Sequence, residues 1–135
     1  MPDAYHFRVA WFDCDPAGIV FYPRFLAYMN EAAHGYLEQL GFSLETLNAR
    51  GVIGVPMVSL SVDFKRTLKT GDQARIETSI AEIGRTSIKF THKIMAGDEL
   101  IAEGREVRVY AGRTETGAIK GVPVHDDVRR ALTGG

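Results

Sequence analysis

Residues 11–25 read WFDCDPAGIVFYPRF, and this stretch decides how the rest of the chain is interpreted. Two carboxylates, Asp13 and Asp15, precede the turn sequence Pro-Ala-Gly at 16–18, and an apolar run follows the turn. Pro23 suits the first position of a helix, where a missing N–H costs little. A carboxylate held beside a helix start lies next to a site that favours negative charge, so the stretch is a candidate for acid–base chemistry.

A long helix is expected over residues 23–40, directly after this stretch. Apolar residues recur there at helical spacing and form one stripe, made of Phe25, Met29, Ala32, Tyr36 and Leu40. Gly41 is a typical stop signal for a helix. A shorter helical turn is expected over residues 43–49, and a last short helix over residues 125–132.

The hydrophobic period changes to two in the second half of the chain, which indicates strands. Five strands are expected in all, at residues 6–12, 59–66, 74–83, 87–95 and 100–111. Gly97-Asp98 is a strong hairpin signal, whereas residues 112–121 are expected to form a loop. One strand, one long helix and four further strands predict an α+β fold with an antiparallel sheet. Because one helix covers only one face of a sheet, a homo-oligomer is expected.

Length and composition narrow the class of protein. The chain has 135 residues, of which 45% are hydrophobic, so we expect one domain over 1–135 with a real core. Sixteen basic and 17 acidic residues give a net charge of −1, which argues against a nucleic-acid partner. No apolar run approaches the roughly 20 residues of a membrane helix, and no signal-like pattern opens the sequence, so no membrane partner is expected.

The sequence lacks the motifs of several other kinds of active site. The four histidines, His6, His34, His92 and His125, do not have metal-ligand spacing, and no phosphate-binding glycine loop or serine elbow is present. We therefore expect no metal and no cofactor. Cys14 is the only cysteine, so no intrachain disulfide can form and the cytoplasm is the expected compartment. A nucleophilic role for Cys14 would need a base such as His34, and a small, partly buried residue is the favoured interpretation.

Four segments together resemble the 4-hydroxybenzoyl-CoA thioesterase family of hotdog-fold proteins. They are FDCDPAGIVFYPRF at 12–25, GVPMVSLSVDFKRTLKTGD at 54–72, EIGRTSIKFTHKI at 82–94 and LIAEGREVRVY at 100–110. The resemblance spans about residues 5–125, and the aspartate segment is its most specific part. It implies a five-stranded antiparallel sheet wrapped around the long helix. It also implies a homodimer or homotetramer with active sites between subunits, and hydrolysis of an acyl-CoA thioester, an aromatic acyl group being favoured.

The resemblance assigns the chemistry to the aspartate segment. Asp15 would attack the thioester directly or activate a water, and both routes stay open. The backbone N–H of Tyr22, at the helix start, would stabilise the developing oxyanion. The alternative for Asp15 is a turn residue, since Asp-Pro-Ala-Gly forms turns in many proteins. Asp13 is expected to structure the loop.

The resemblance also assigns substrate contacts. Asn30 would read the far end of the acyl group, since an amide can donate and accept hydrogen bonds, or it is a solvated helix residue. Tyr28, Met29 and Val58 are wall residues of the acyl pocket or core residues. The candidates for binding CoA are Arg85, Thr86 and Ser87, with Lys65, Arg66 and Arg108 as secondary cations that could instead be solvated strand charges.

Some features depart from the family pattern. Residues 41–51, GFSLETLNARG, lack the Trp or Tyr of relatives that act on 4-hydroxybenzoyl-CoA, and Asn30 replaces an expected acidic residue. Benzoyl, other hydroxybenzoyl, phenylacetyl-type and short-chain aliphatic acyl-CoA substrates therefore stay open. A non-catalytic acyl-CoA-binding sensor or carrier-linked module is the second hypothesis for function, and a hotdog hydratase is the third.

Overall fold

A five-stranded antiparallel sheet forms the framework of the protein. The computed structural model describes residues 2–134. The strands are β1 (Tyr5–Arg8), β2 (Met57–Phe64), β3 (Gln73–Ile83), β4 (Ser87–Ala96) and β5 (Glu99–Val109), in the spatial order β1-β3-β4-β5-β2. The β4–β5 hairpin follows the predicted turn at Gly97-Asp98, and the β3–β4 hairpin turns at Gly84-Arg85. The predicted α+β class is confirmed.

Three helices accompany the sheet. The long helix α1 spans Tyr22–Gln39, α2 spans Leu44–Asn48, and α3 spans Asp126–Thr133. The predicted apolar stripe faces inward, since Phe25, Met29, Ala32 and Tyr36 are all buried. Gly41 ends the long helix in a left-handed conformation, with φ of 95° and a 2.9 Å hydrogen bond from its N–H to the Glu38 carbonyl.

The core is divided into two clusters along α1. The first cluster surrounds the beginning of the helix and includes Val20, Phe25, Leu68, Ile76 and Ile101. The second cluster surrounds its end and includes Tyr36, Leu47, Ile88, Tyr110 and Leu132. Because α1 has 18 residues, it separates the two ends of the molecule by about 27 Å. The position of a site residue can therefore be described by the core cluster beside which it lies.

The structure corrects several predicted boundaries. The strand expected over 59–66 is β2 at Met57–Phe64, and the strand expected over 100–111 is β5, which ends at Val109. The strand expected over 6–12 stops at Arg8, because the chain tightens into a 3₁₀ turn at Trp11–Asp13. The Asp13 N–H donates to the Ala10 carbonyl at 3.0 Å, and Asp13 Oδ2 accepts the Ala10 N–H at 3.2 Å. The loop expected over 112–121 instead contains a short hairpin of β6 (Ala111–Arg113) and β7 (Ile119–Gly121). Three-residue strands are too short to show a period of two.

The sheet leaves one long edge unpaired. Within residues 2–134, β2 pairs only with β5, and its other edge has no neighbouring strand. Apolar side chains at both ends of this edge strand are solvent-exposed, notably Val58 at 62% and Phe64 at 46%. A free edge with exposed apolar residues is the kind of surface that a second chain covers. No helix in the described part of the chain is long and apolar enough to cross a membrane.

Candidate active site

The aspartate segment folds into a tight hairpin that leads directly into α1. Its backbone closes at Asp15, whose N–H donates to the Ile19 carbonyl and whose carbonyl accepts the Gly18 N–H, both at 2.9 Å. Asp15 Oδ1 accepts the Ala17 N–H at 2.8 Å. The left-handed φ of 84° at Gly18 completes the turn. Asp15 therefore does form the turn that its sequence predicts, and this bond occupies only one of its two carboxylate oxygens.

The second aspartate of the segment has a different environment. Asp13 is 6% exposed, and its Oδ2 accepts a 2.6 Å hydrogen bond from the Tyr28 hydroxyl. Its Oδ1 lies 3.5 Å from Nε of Arg24, and its backbone carbonyl accepts the Phe21 N–H at 2.9 Å. Asp13 is thus fully engaged in holding the loop against the helix, as expected. Asp15 is half-buried, and its Oδ2 has no hydrogen-bond partner among residues 2–134.

The helix start offers one backbone donor beside this loop. The Phe21 N–H is bonded to Asp13, the Arg24 N–H donates to the Phe21 carbonyl at 2.8 Å, and Pro23 has no N–H. The Tyr22 N–H, at the first helical position, has no acceptor in the described part of the chain. This N–H lies at the positive end of the helix dipole, where a hydrogen-bond donor can stabilise an oxyanion.

The predicted wall residues have different surroundings. Met29 is fully buried against Gly104 of β5, so its burial does not support a wall contact. Tyr28 is half-buried, stacks on Phe7 with a centroid distance of 4.0 Å, and uses its hydroxyl on Asp13. Val58 is exposed on the free edge of β2, where only a second chain could cover it.

Asn30 lies at the mouth of a pocket of about 350 Å³ between α1 and the segment that precedes β2. The walls are mainly apolar, formed by Ile53, Val55, Pro56, Met57 and Ile119. Three polar side chains, those of Asn30, His34 and Arg108, also line it. An apolar slot with a few convergent polar groups is the usual form of a small-molecule site.

Arg108 belongs to a buried polar network that the sequence did not reveal. Its Nε donates to Glu106 Oε1 at 2.8 Å, its Nη2 donates to Glu106 Oε2 at 3.1 Å, and Nε2 of His92 lies 2.9 Å from Glu106 Oε1. All three residues are at most 2% exposed. Burial alone would raise the pKa of Glu106, but hydrogen bonds from His92 and Arg108 outweigh it, and the pKa lies below its ordinary value.

The network overturns the prediction that Arg108 is a solvated strand charge or a cation for CoA. Arg108 lies on β5, an inner strand of the sheet, on the face that α1 covers. The alternation along β5 could have shown this, because Glu106 and Arg108 share the period of the buried Ala102 and Gly104. His34 carried no such signal, since its place in the pocket depends on where the segment before β2 returns to the helix.

The candidate CoA-binding residues lie at opposite ends of the molecule, each group beside one of the two core clusters. Arg85 is exposed in the turn between β3 and β4, and Thr86 and Ser87 follow it beside the second core cluster. Lys65 and Arg66 instead donate backbone hydrogen bonds to Ile101 of the first cluster, and Arg66 pairs with Glu99 at 3.7 Å. Asp15 also lies at the first-cluster end. One chain therefore does not bring Asp15 and Arg85 together.

A comparison with known families agrees with this geometry. Residues 9–132 match the model of the thioesterase-like superfamily, and the chain belongs to that family. The chain is 34% identical, over 111 residues, to the 4-hydroxybenzoyl-CoA thioesterase of Pseudomonas sp. strain CBS-3, covering 77% of this chain and 79% of the relative. It is 25% identical over 125 residues to an acyl-CoA thioesterase of Haemophilus influenzae, covering 93% and 90% of the two chains.

Solved structures lead to the same class. A gentisyl-coenzyme A thioesterase superposes with a TM-score of 0.84 at 36% identity, covering 97% of this chain and 99% of that one. The Pseudomonas enzyme superposes with a TM-score of 0.87 at 30% identity, covering 96% and 97%. The predicted family, the hotdog fold and the class of thioester hydrolase are confirmed.

Proposed function

We propose that this chain hydrolyses aromatic acyl-CoA thioesters and that Asp15 is its catalytic carboxylate. The contrast between the two aspartates supports this most directly. Both carboxylate oxygens of Asp13 are engaged by residues of the fold, whereas Asp15 keeps Oδ2 free in the turn that leads to the helix. The turn itself uses only Oδ1 of Asp15, so the second oxygen is available for chemistry, and the Tyr22 N–H at the helix start is a backbone donor without an acceptor among residues 2–134.

The proposed reaction uses groups that the chain itself provides. The thioester carbonyl oxygen accepts the Tyr22 N–H, which stabilises the negative charge that develops there. By one route Asp15 attacks the carbonyl carbon, the C–S bond breaks to release CoA thiolate, and water then hydrolyses the mixed anhydride. By the other route Asp15 takes a proton from a water, which attacks directly. After a single turnover in ¹⁸O-labelled water, unlabelled product acid with label in Asp15 demonstrates the first route, with water attacking the Asp15 carboxyl carbon of the anhydride. Labelled acid is the result of the second route, and also of the first if water attacks the acyl carbon.

We assign the acyl group to the pocket beside Asn30. Its apolar walls and its volume of about 350 Å³ suit a flat ring better than a long chain. Two relatives are named for aromatic substrates, 4-hydroxybenzoyl-CoA and gentisyl-CoA, which supports the same class here. Asn30 would contact the far end of the acyl group, and Val58 of a second chain would complete the wall of the pocket. Tyr28 would hold Asp13 in place rather than contact the substrate.

The placement of the cations suggests a site shared by two subunits. A two-fold axis perpendicular to α1 places one end of a chain beside the opposite end of its partner, so Asp15 of one subunit can meet Arg85, Thr86 and Ser87 of the other. Lys65 and Arg66 would then belong to the same subunit as Asp15. The free edge of β2 supports association at that strand. We propose that the catalytic unit is a homodimer and that two such dimers associate into a homotetramer.

The single cysteine supports a reducing compartment. Cys14 is the single cysteine of the chain, so it has no partner for a disulfide within the chain. Its side chain is half-buried, and its Sγ lies 3.4 Å from the Thr70 hydroxyl. We therefore propose a cytoplasmic location, which fits a CoA-dependent reaction. Fractionation of the native organism's cells with an antibody to the chain tests this.

The substrate assignment is tested by thiol release from a matched set of thioesters. The set holds benzoyl-, hydroxybenzoyl-, phenylacetyl- and butyryl-CoA, with Asp15→Asn as the blank. We expect kcat/KM to be highest for the benzoyl type and to vanish in the variant. The highest kcat/KM for butyryl-CoA would reject the aromatic assignment. Binding of every thioester without thiol release would instead favour the acyl-CoA-binding sensor.

A further inference from the structure

Arg108 forms the floor of the pocket beside Asn30, although almost none of it reaches solvent. One of its two Nη2 hydrogens is directed at Asn30 Oδ1, at 3.1 Å, and the other at Glu106 Oε2, also at 3.1 Å. Its Nη1 donates to the Val55 carbonyl at 3.2 Å. Arg108 thus connects the helix, the segment before β2 and the sheet at one point below the pocket.

This contact settles which way the Asn30 side chain faces. A guanidinium group has only donors, so the atom of Asn30 nearest to it must be the carboxamide oxygen. With that oxygen engaged by Arg108, the NH₂ group is directed away from the floor. The Nδ2 of Asn30 has no partner among residues 2–134, and Asn30 is exposed at the pocket mouth. The pocket therefore presents a donor at this position.

The network beneath Arg108 keeps it from turning away. Glu106 holds the guanidinium through two parallel hydrogen bonds, the geometry that fixes an arginine most firmly. Glu106 in turn accepts a hydrogen bond from His92, and the other ring nitrogen of His92 lies 2.8 Å from the Thr78 hydroxyl. These residues come from three adjacent strands, β3, β4 and β5. A buried, fully connected network of this kind specifies one arrangement of its members.

We propose that Arg108 is a positioning residue that fixes Asn30 as a hydrogen-bond donor, so that the pocket selects acyl groups whose ring carries an acceptor. The proposal rests on the proposed function in one respect, namely that this pocket takes the acyl group. A carboxylate at position 30 would only accept, and a freely rotating amide would accept or donate equally well. Arg108 removes that freedom. The chain therefore distinguishes a ring substituent that accepts from one of the same size that only donates.

The test uses analogues that bind but cannot be hydrolysed. In S-phenacyl-CoA thioethers a methylene separates sulfur from the aryl ketone, so their affinity does not depend on catalysis. A cyano and an ethynyl substituent are nearly equal in size and shape, but the cyano nitrogen only accepts a hydrogen bond, whereas the terminal ethynyl C–H can only donate one weakly. Both are compared at the 3- and the 4-position of the ring by calorimetry, and the tighter-binding position is used.

Three variants complete the design. Asn30→Asp keeps the shape and the contact with Arg108 but removes the donor. The double variant Glu106→Gln with Arg108→Met removes both buried charges together, since removing one alone would leave the other unpaired. Arg105→Met removes an exposed arginine on the opposite face of β5, where it pairs with Asp63, and serves as the matched control.

We expect the wild type and the control to bind the cyano analogue about tenfold more tightly than the ethynyl analogue. In Asn30→Asp the ratio of the two affinities falls to about one or reverses, because a carboxylate cannot donate. In the double variant the ratio falls to about one. A wild-type ratio near one, or a preference that both variants keep, overturns the proposal. So does a uniform loss of affinity for both analogues, because it marks a merely structural role, and so does failure of the wild type to bind any aryl analogue. If the double variant does not fold, Asn30→Asp decides alone. Tight binding with no thioester hydrolysis would reject the proposed function and leave this inference standing.

Discussion

The hydroxyl of Tyr28 donates a 2.6 Å hydrogen bond to Oδ2 of Asp13, and this bond distinguishes the two aspartates of the loop. It joins the first turns of α1 to the turn before the helix and withdraws Asp13 from solvent. Burial raises the pKa of Tyr28, and the bond to Asp13 raises it further, so the phenol remains a donor over the whole neutral range. Asp15 is thereby left as the carboxylate with a free oxygen.

Removal of this bond should weaken the fold. Tyr28→Phe leaves a buried oxygen of Asp13 short of a donor, so we expect the free energy of unfolding to fall by about 1–3 kcal/mol in urea denaturation. Tyr22→Phe is the control, because Tyr22 is 62% exposed and its loss should change stability by less than about 0.5 kcal/mol. Equal effects of the two substitutions would show that Asp13 is not held by Tyr28.

The buried Glu106 should make the fold sensitive to acid. Its pKa lies below the ordinary value of 4.5, so its ionised form stabilises the folded state above that pH. This contribution is lost as pH falls from 4.5 through the lower folded pKa. In Glu106→Gln we expect a loss of about 3–5 kcal/mol at neutral pH, since Arg108 is left buried and unpaired. Urea midpoints measured from about pH 6 to pH 3 should fall less steeply for the variant than for the wild type. Parallel slopes would contradict this account.

The close approach of Met29 to Gly104 predicts a stability difference between two glycines. A methyl group at Gly104 would meet the Met29 side chain, whereas one at Gly35, within α1, would meet nothing within 4 Å. Gly104→Ala should therefore destabilise the protein by about 1–3 kcal/mol through overpacking. Gly35→Ala should stabilise it by up to about 1 kcal/mol, because alanine favours a helix. Thermal unfolding of the two variants would contradict the packing if both raised or both lowered Tm.

A shared site predicts that two inactive variants restore each other. Neither Asp15→Asn nor Arg85→Ala should hydrolyse thioesters efficiently alone. In random hybrid dimers, obtained by co-expression, each hybrid has one site with both native residues. We expect about a quarter of the wild-type activity in the mixture. A mixture no more active than its parents would mean that Asp15 and Arg85 do not meet across an interface.

The sequence predicted more of the fold than of the site. The period of α1 and the alternation of four strands made the α+β sheet predictable, because burial of one face imposes those periods. The 3₁₀ turn at Trp11–Asp13 escaped because a side-chain bond from Asp13, rather than a propensity, produces it. Arg108 was misjudged as a surface charge, since only the pairing with Glu106 makes its burial tolerable. The alternation along β5 carried a signal for the burial of Glu106 and Arg108, whereas His92 and Asn30, which complete the network, are far from them in sequence and have no local signal.

The most direct test of the account is a comparison of turnover and binding in Asp15→Asn on the same preparation. We predict that kcat for an aroyl-CoA falls by about 10²–10⁴, because the catalytic carboxylate is gone. The affinity for an S-phenacyl-CoA thioether should stay within about threefold of the wild-type value, because the pocket beside Asn30 is untouched. Hydrolysis by Asp15→Asn at the wild-type rate would contradict the central claim that Asp15 is the catalytic group.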